Sequence, residues 1–232
     1  ASFTNKFVKT EGFLKEQKVD KFIYRGVFGT QKKGGVINNA FNLNLKNIAN
    51  THVIKLGDEL LALWEAAGPH SLDPNNLETN GLTTLKGVLK KNEAFSAHPK
   101  VDFNSNSADE VLITFGVQTG PTSTIRLMEF SNSGKNSGQI LFDRKDKLKG
   151  FAFLHDFAIT TNWAIFLQNA IDFNPLPFVM GQKGAAQCLK SNPKKTAKFF
   201  IVPRDSGLFR GQPPIIIDAP EGFVFHHVNA YE

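Results

Sequence analysis

Cysteine is almost missing from this chain of 232 residues. The only one is Cys188, so no disulfide can close within the sequence, which fits a reducing compartment. Methionine, tryptophan and tyrosine are scarce too, two of each, and leave few phenol or indole donors. No run approaches the ~20 consecutive apolar residues of a membrane-spanning helix. The opening ASFTNKFVKT lacks the charged-then-apolar order of a secretory signal. Closely spaced metal motifs such as HExxH or CxxC do not occur, and neither does a Ser-His-Asp or paired-carboxylate signature. The net charge of +6 is carried by short, separated clusters: Lys32-Lys33, Lys90-Lys91, Arg144 to Lys149 and Lys194-Lys195. With no long basic run interleaved with aromatics, nucleic acid is not an expected partner. Solvated loop faces account for the charge, and attraction to an anionic membrane surface is the minority reading.

Phenylalanine is what the chain has in abundance, 22 residues, enough to furnish either an aromatic core or an apolar cavity. Strand-like runs recur along the sequence: KFIYRGVF, THVIKL, ELLALWEA, EVLITFGV, STIRLMEF, QILFD, GFAFLHDFAI, NWAIFLQ, AKFFIVP and GFVFHHVNAY. Turn compositions such as GPHSLDPNN, NSNSAD, SNSGKNSG and RDSG separate them, a pattern that predicts an all-β fold, sandwich or propeller. Helical periodicity is expected only briefly, at 82–92 and 181–190. A strand-turn-strand rhythm at 56–79 returns loosely at 111–143, which suits a propeller, whose blades bury their faces against their neighbours. The text begins and stops inside strand-like runs, so the chain is expected to be a piece of a longer protein, truncated at both ends.

Six histidines are present, and three stand in similar apolar settings: SAHPKVD, FLHDFAI and VFHHVNA. Their spacing is about that of a propeller blade with its loops, so each can lie on the inner strand of a successive blade and face the axis. Imidazole suits iron, zinc or copper. Strand alternation sends His155 and Asp156 to opposite faces: His155 shares its side with Phe151, Phe153, Phe157 and Ile159, and Asp156 turns away to hold a backbone amide or an arginine. Alternation also separates His226 from His227 without deciding which points inward. An open three-histidine site serves either iron chemistry with O2 or zinc hydrolysis.

The stretches NIANTHVIKLGDELLALWEAAGPHSLDPNNLETNGL, SAHPKVD, GFAFLHDFAITTNWAIFLQ and EGFVFHHVNAYE resemble the carotenoid cleavage oxygenases, the family that also contains the retinal pigment epithelium isomerohydrolase. The likeness is strongest to the cyanobacterial apocarotenoid oxygenases and runs from FVKTEGFLKEQK to NAYE. It implies a partial seven-bladed β-propeller with a non-haem Fe(2+) held on its axis by four histidines. Matched motif by motif, the ligands would be His98, His155 and His226, with His227 at a variable position and the fourth histidine beyond residue 232. The isolated 232 residues are therefore expected to be inactive.

The resemblance also implies Glu65 as the partner of a ligand's other ring nitrogen, and Phe28, Trp64, Phe153 and Phe225 as tunnel or cavity positions, with Thr51 near the open coordination side. The parent would be a dioxygenase that cleaves a double bond of an apolar apocarotenoid or carotenoid with O2. A family isomerase, a stilbene cleaver and a non-catalytic apolar-ligand propeller are the alternatives. Such a substrate resides in membrane, so a cytoplasmic, peripherally membrane-associated protein is expected. Leu176, Phe178, Val179 and Met180 form its expected lipid-dipping patch.

Overall fold

The structure, a computed structural model, describes residues 3–29, 31–91, 93–103, 110–205 and 207–232. Three four-stranded antiparallel sheets follow one another along the chain. The first comprises β1 (His52–Leu56), β2 (Glu59–Leu63), β3 (His70–Leu72) and β4 (Thr79–Leu82). A two-residue turn joins β1 to β2, and Gly57 takes a φ of 62° there, where a Cβ is disfavoured. The second comprises β5 (Lys100–Asp102), β6 (Val111–Gln118), β7 (Thr122–Ser131) and β8 (Ile140–Lys149). The third comprises β9 (Ala158–Ile159), β10 (Trp163–Gln168), β13 (Ala197–Pro203) and β14 (Ile215–Ala219). Between β10 and β13 a separate hairpin of β11 (Ile171–Phe173) and β12 (Leu189–Ser191) carries a short helix, Leu176–Val179. Each four-stranded meander is one propeller blade.

Burial shows why the blades need one another. Val111 through Gly116 of β6 are all buried, so both faces of the middle blade are covered. Alternation along the strand divides its side chains between two interfaces. Leu112, Met128 and Phe130 pack with Leu56, Leu61, Leu63 and Phe95 toward the first blade. Ile113, Phe115, Ile125 and Leu127 pack with Phe157, Phe166, Phe200 and Val202 toward the third. The rings of Phe157 and Phe166 lie 5.1 and 5.0 Å from that of Phe115, both edge-on. Arg204, fully buried, crosses the second interface from the end of β13: it reaches Asp102 at 2.8 Å and Glu129 at 3.3 Å, and also donates to the carbonyl of Thr160.

Several expectations change. KFIYRGVF is not a strand; among the described residues its only ladder contact is an isolated bridge from Arg25 to Leu45. No helix forms at 82–92, because Leu85, Lys86 and Gly87 adopt φ of 49°, 56° and 91°, which coil the chain as successive turns. At 181–190 the helix shrinks to one 3-10 turn, Ala186–Cys188. Two helices precede the first blade instead, α1 (Glu11–Val19) and α2 (Gly35–Asn39), and the hairpin helix becomes α3. Helix α1 starts where the Thr10 hydroxyl accepts the Phe13 N–H at 3.2 Å. GFAFLHDFAI contributes only the two residues of β9, and GFVFHHVNAY runs extended without a ladder. The turn expected at NSNSAD, 104–109, lies outside the described residues.

Candidate metal centre

Each candidate ligand sits on the segment that enters or leaves a blade. His98 lies two residues before β5, His155 three residues before β9, and His226 beyond β14. These segments converge although the histidines are far apart in sequence. One ligand nitrogen from each of His98, His155 and His226 lies within 4.8 Å of the others. Their ring centroids are 4.6, 4.9 and 5.0 Å apart.

Hydrogen bonding sets the orientation of the rings. Glu65, just after β2, holds Nδ1 of His155 through its Oε2, which leaves Nε2 of His155 facing Nε2 of His98 at 2.9 Å. With the Nδ1 proton directed at Glu65, His155 offers a bare lone pair on Nε2. Two nitrogens each about 2.1 Å from one ion and at right angles around it would lie about 3.0 Å apart, so the pair fits a shared cation. Burial, with the neighbouring His155 adding to it, holds the His98 pKa below its ordinary value, which keeps this imidazole neutral and able to ligate. The donor set is that of a borderline transition metal.

Around the imidazoles the walls are aromatic and apolar. Phe225 stacks face to face on His155, centroids 3.7 Å apart and planes at 17°, and Phe153 lies behind it at 6.2 Å. A pocket of about 290 Å³ has Glu65 in its wall and is lined also by Phe28, Phe151, Phe153, Phe173 and Leu45. Asp156 is buried on the other side. Its Oδ2 accepts the His227 N–H at 2.8 Å, and its Oδ1 lies 2.8 Å from the Lys100 ammonium. Burial works to raise the pKa of this carboxyl, but Lys100 and the amides of His227 and Phe157 outweigh it and hold the group ionised.

The sequence-derived site therefore falls partly into place. His98, His155, His226 and Glu65 meet, and Phe28 and Phe153 line the pocket that reaches Glu65. Trp64 does not line that pocket; it is buried and faces a neighbouring cleft with Tyr24, Lys46 and His70, which borders the pocket at Leu45 and Ala66. Thr51 is exposed beside His52, whose ring lies 6.4 Å from that of His98. Phe157 was expected against His155 but belongs to the interblade core, because alternation holds from Phe151 to Asp156 and breaks at Phe157.

Of the expected lipid patch, Leu176 is 62% exposed, whereas Phe178 is only 8% exposed and lies beneath the Arg25 guanidinium, 4.0 Å from ring centroid to Cζ. Val179 and Met180 are half-buried. Sequence reading gave no role to Arg25, which is fully buried and donates to the carbonyls of Asn39, Asn42, Phe178 and Lys183. Lys100 was missed as well: the AHPKVD motif places it two residues after a ligand.

Three successive four-stranded blades with three imidazoles converging beside Glu65 define a partial β-propeller with a candidate metal site. The chain matches the retinal pigment epithelial membrane protein family over residues 1–232 and belongs to it. It is 45% identical over 232 residues to the apocarotenoid-15,15'-oxygenase of Synechocystis, covering 99% of this chain and 46% of that protein. It is 30% identical over 253 residues to the carotenoid 9,10(9',10')-cleavage dioxygenase of Crocus sativus, covering 100% of this chain and 42% of the relative. The crystal structure of cobalt-substituted Synechocystis apocarotenoid oxygenase superposes with a TM-score of 0.91 at 44% identity, covering 98% of this chain and 46% of that one. The chain thus spans less than half the length of these relatives.

Proposed function

We propose that this chain supplies three imidazole ligands and much of the apolar substrate wall of an Fe(II)-dependent dioxygenase that cleaves a double bond of an apocarotenoid or carotenoid. The carrying observation is the meeting of His98, His155 and His226, with Glu65 both bonded to His155 and lining an aromatic pocket. When bound, Fe(II) would supply activation of O2, whose two atoms end on the two carbons of the broken C=C as carbonyl groups. The chain's own residues orient and exclude. Glu65 fixes the His155 tautomer, Phe225 closes one face of that ring, and Phe28, Phe151, Phe153 and Phe173 offer flat apolar surfaces to a conjugated chain while shedding water.

The relatives support this reading. Solved variants of the Synechocystis enzyme replace a threonine, a tryptophan thirteen residues later, and the glutamate immediately after it. Thr51, Trp64 and Glu65 keep the same spacing. The cobalt-substituted relative is in keeping with a divalent ion in such a site.

Apolar substrate has to arrive from lipid, and the exposed apolar residues near the pocket suggest where. Leu176 and Phe41 are 62% and 75% exposed on segments joined by the Phe41 N–H to Val179 carbonyl bond, and Phe28, 74% exposed, stands at the pocket. These residues support a protein peripheral to a membrane, and the unpaired Cys188 suits a cytoplasmic setting. The test is incubation of the full-length protein with Fe(II), O2 and an apocarotenal. Loss of polyene absorbance with formation of two carbonyl fragments is expected, and an unchanged polyene would overturn the assignment.

A further inference from the structure

The three ligand segments have no strand ladder in common, yet one carboxylate touches all of them. Asp156 is covalently next to His155. Its Oδ2 accepts the backbone N–H of His227 at 2.8 Å, one residue from His226. Its Oδ1 meets Nζ of Lys100 at 2.8 Å, two residues after His98. The Asp156 side chain is 2% exposed, so its carboxylate depends on these protein partners rather than on bulk water. Resting on the iron-site reading above, we propose that Asp156 and Lys100 are positioning residues, a strap that sets the three imidazoles in register from the face opposite the metal.

The need for such a strap is clearest at His226. Residues 220–232 pair with no strand among the described residues, and three side-chain anchors hold them instead. The Asn169 amide exchanges two bonds with the backbone of Val224, at 2.9 and 3.0 Å. The Glu232 carboxylate takes the Asn162 N–H at 3.0 Å. The Asp156 carboxylate holds His227. The first two anchors lie two and six residues from His226, so the adjacent amide bond has the shortest lever on the ring. Lys100 ties the same carboxylate to the His98 segment, and a shift of any one segment is passed to the other two. Metal sites tolerate errors of only about 0.5 Å in ligand placement, which a single wandering backbone would exceed.

The test uses full-length protein loaded with Co(II), whose visible bands report ligand geometry without turnover. Asp156→Ala should lose about 10–100-fold in Co(II) affinity and change the band pattern at temperatures where the apoprotein is fully folded. Lys100→Met should shift the bands in the same direction, and Lys100→Arg, which keeps the ion pair, should restore them. An Asp156→Ala protein with wild-type bands and affinity within about twofold of wild type would overturn the strap. If wild-type protein itself takes up neither Co(II) nor Fe(II), the metal reading falls and the strap with it, an outcome recognised by the blank wild type.

Discussion

Replacing Arg204 by methionine probes whether charge or shape locks the second blade to the third. The guanidinium is fully buried and lies 3.3 Å from Glu129, itself 3% exposed, and 2.8 Å from Asp102. At an effective dielectric of about 20, the Glu129 contact alone is a gross attraction of about 5 kcal/mol. Deleting one partner of a buried pair costs about 3–5 kcal/mol, because the remaining charge is left without compensation. Burial raises the pKa of Glu129 above its ordinary 4.5, and Arg204 is the main group opposing that rise. A carboxyl with a raised folded-state pKa contributes its stability below the unfolded value and loses it as pH climbs through the folded value. Without Arg204 the raised pKa climbs further, so the deficit of the variant should be small near about pH 4 and grow to about 3–5 kcal/mol by neutrality. Urea unfolding of full-length protein across that range measures it. Adding Glu129→Leu should recover more than half of the neutral-pH loss. A deficit below about 1 kcal/mol, or one flat with pH, would refute the reasoning.

Two further substitutions test the fold around the site. A Cβ on Gly116 would lie 2.2 Å from the carbonyl oxygen of Ala94, and neither backbone can yield, so Gly116→Ala should destabilise by at least about 1–3 kcal/mol; an unchanged urea midpoint would contradict the close approach of β6 to the Ala94 segment. Arg25→Met removes the donors that tie α3 to the segment around Asn39 and Asn42. Amide exchange across 176–183 should speed up at least tenfold, equivalent to the loss of about 1.4 kcal/mol of local protection, while exchange in β6 and β7 stays as it was.

The strands of the three blades were legible wherever apolar residues alternate with turn chemistry between them, as in STIRLMEF and AKFFIVP. The His-bearing segments were misread for a physical reason. GFAFLHDFAI and GFVFHHVNAY have strand composition, but their backbone groups are satisfied by side chains such as Gln168, Asn169 and Asp156 rather than by a ladder, and composition does not distinguish the two. Long-range side-chain partners were also invisible. Asp156 holds a backbone amide, one of the two expected partners, but Lys100 beside it and Arg25 beneath the α3 hairpin depend on contacts 56 and 153 residues apart in the chain. That distance also hid the fate of Phe178: a proline-bracketed apolar loop looks lipid-facing until the cation beneath it is known. The three imidazoles and Glu65 were reached through motif likeness, since spacing alone left iron and zinc, and His226 and His227, undecided.

The central claim is that His98, His155 and His226 together hold a redox-active iron. Metal analysis of the purified full-length protein, wild type beside His155→Ala, tests it most directly. The account predicts close to stoichiometric iron in the wild type and nearly complete loss in the variant, with the apoprotein still folded. Iron retained at the wild-type level in His155→Ala, or zinc filling the wild-type site in place of iron, would contradict it.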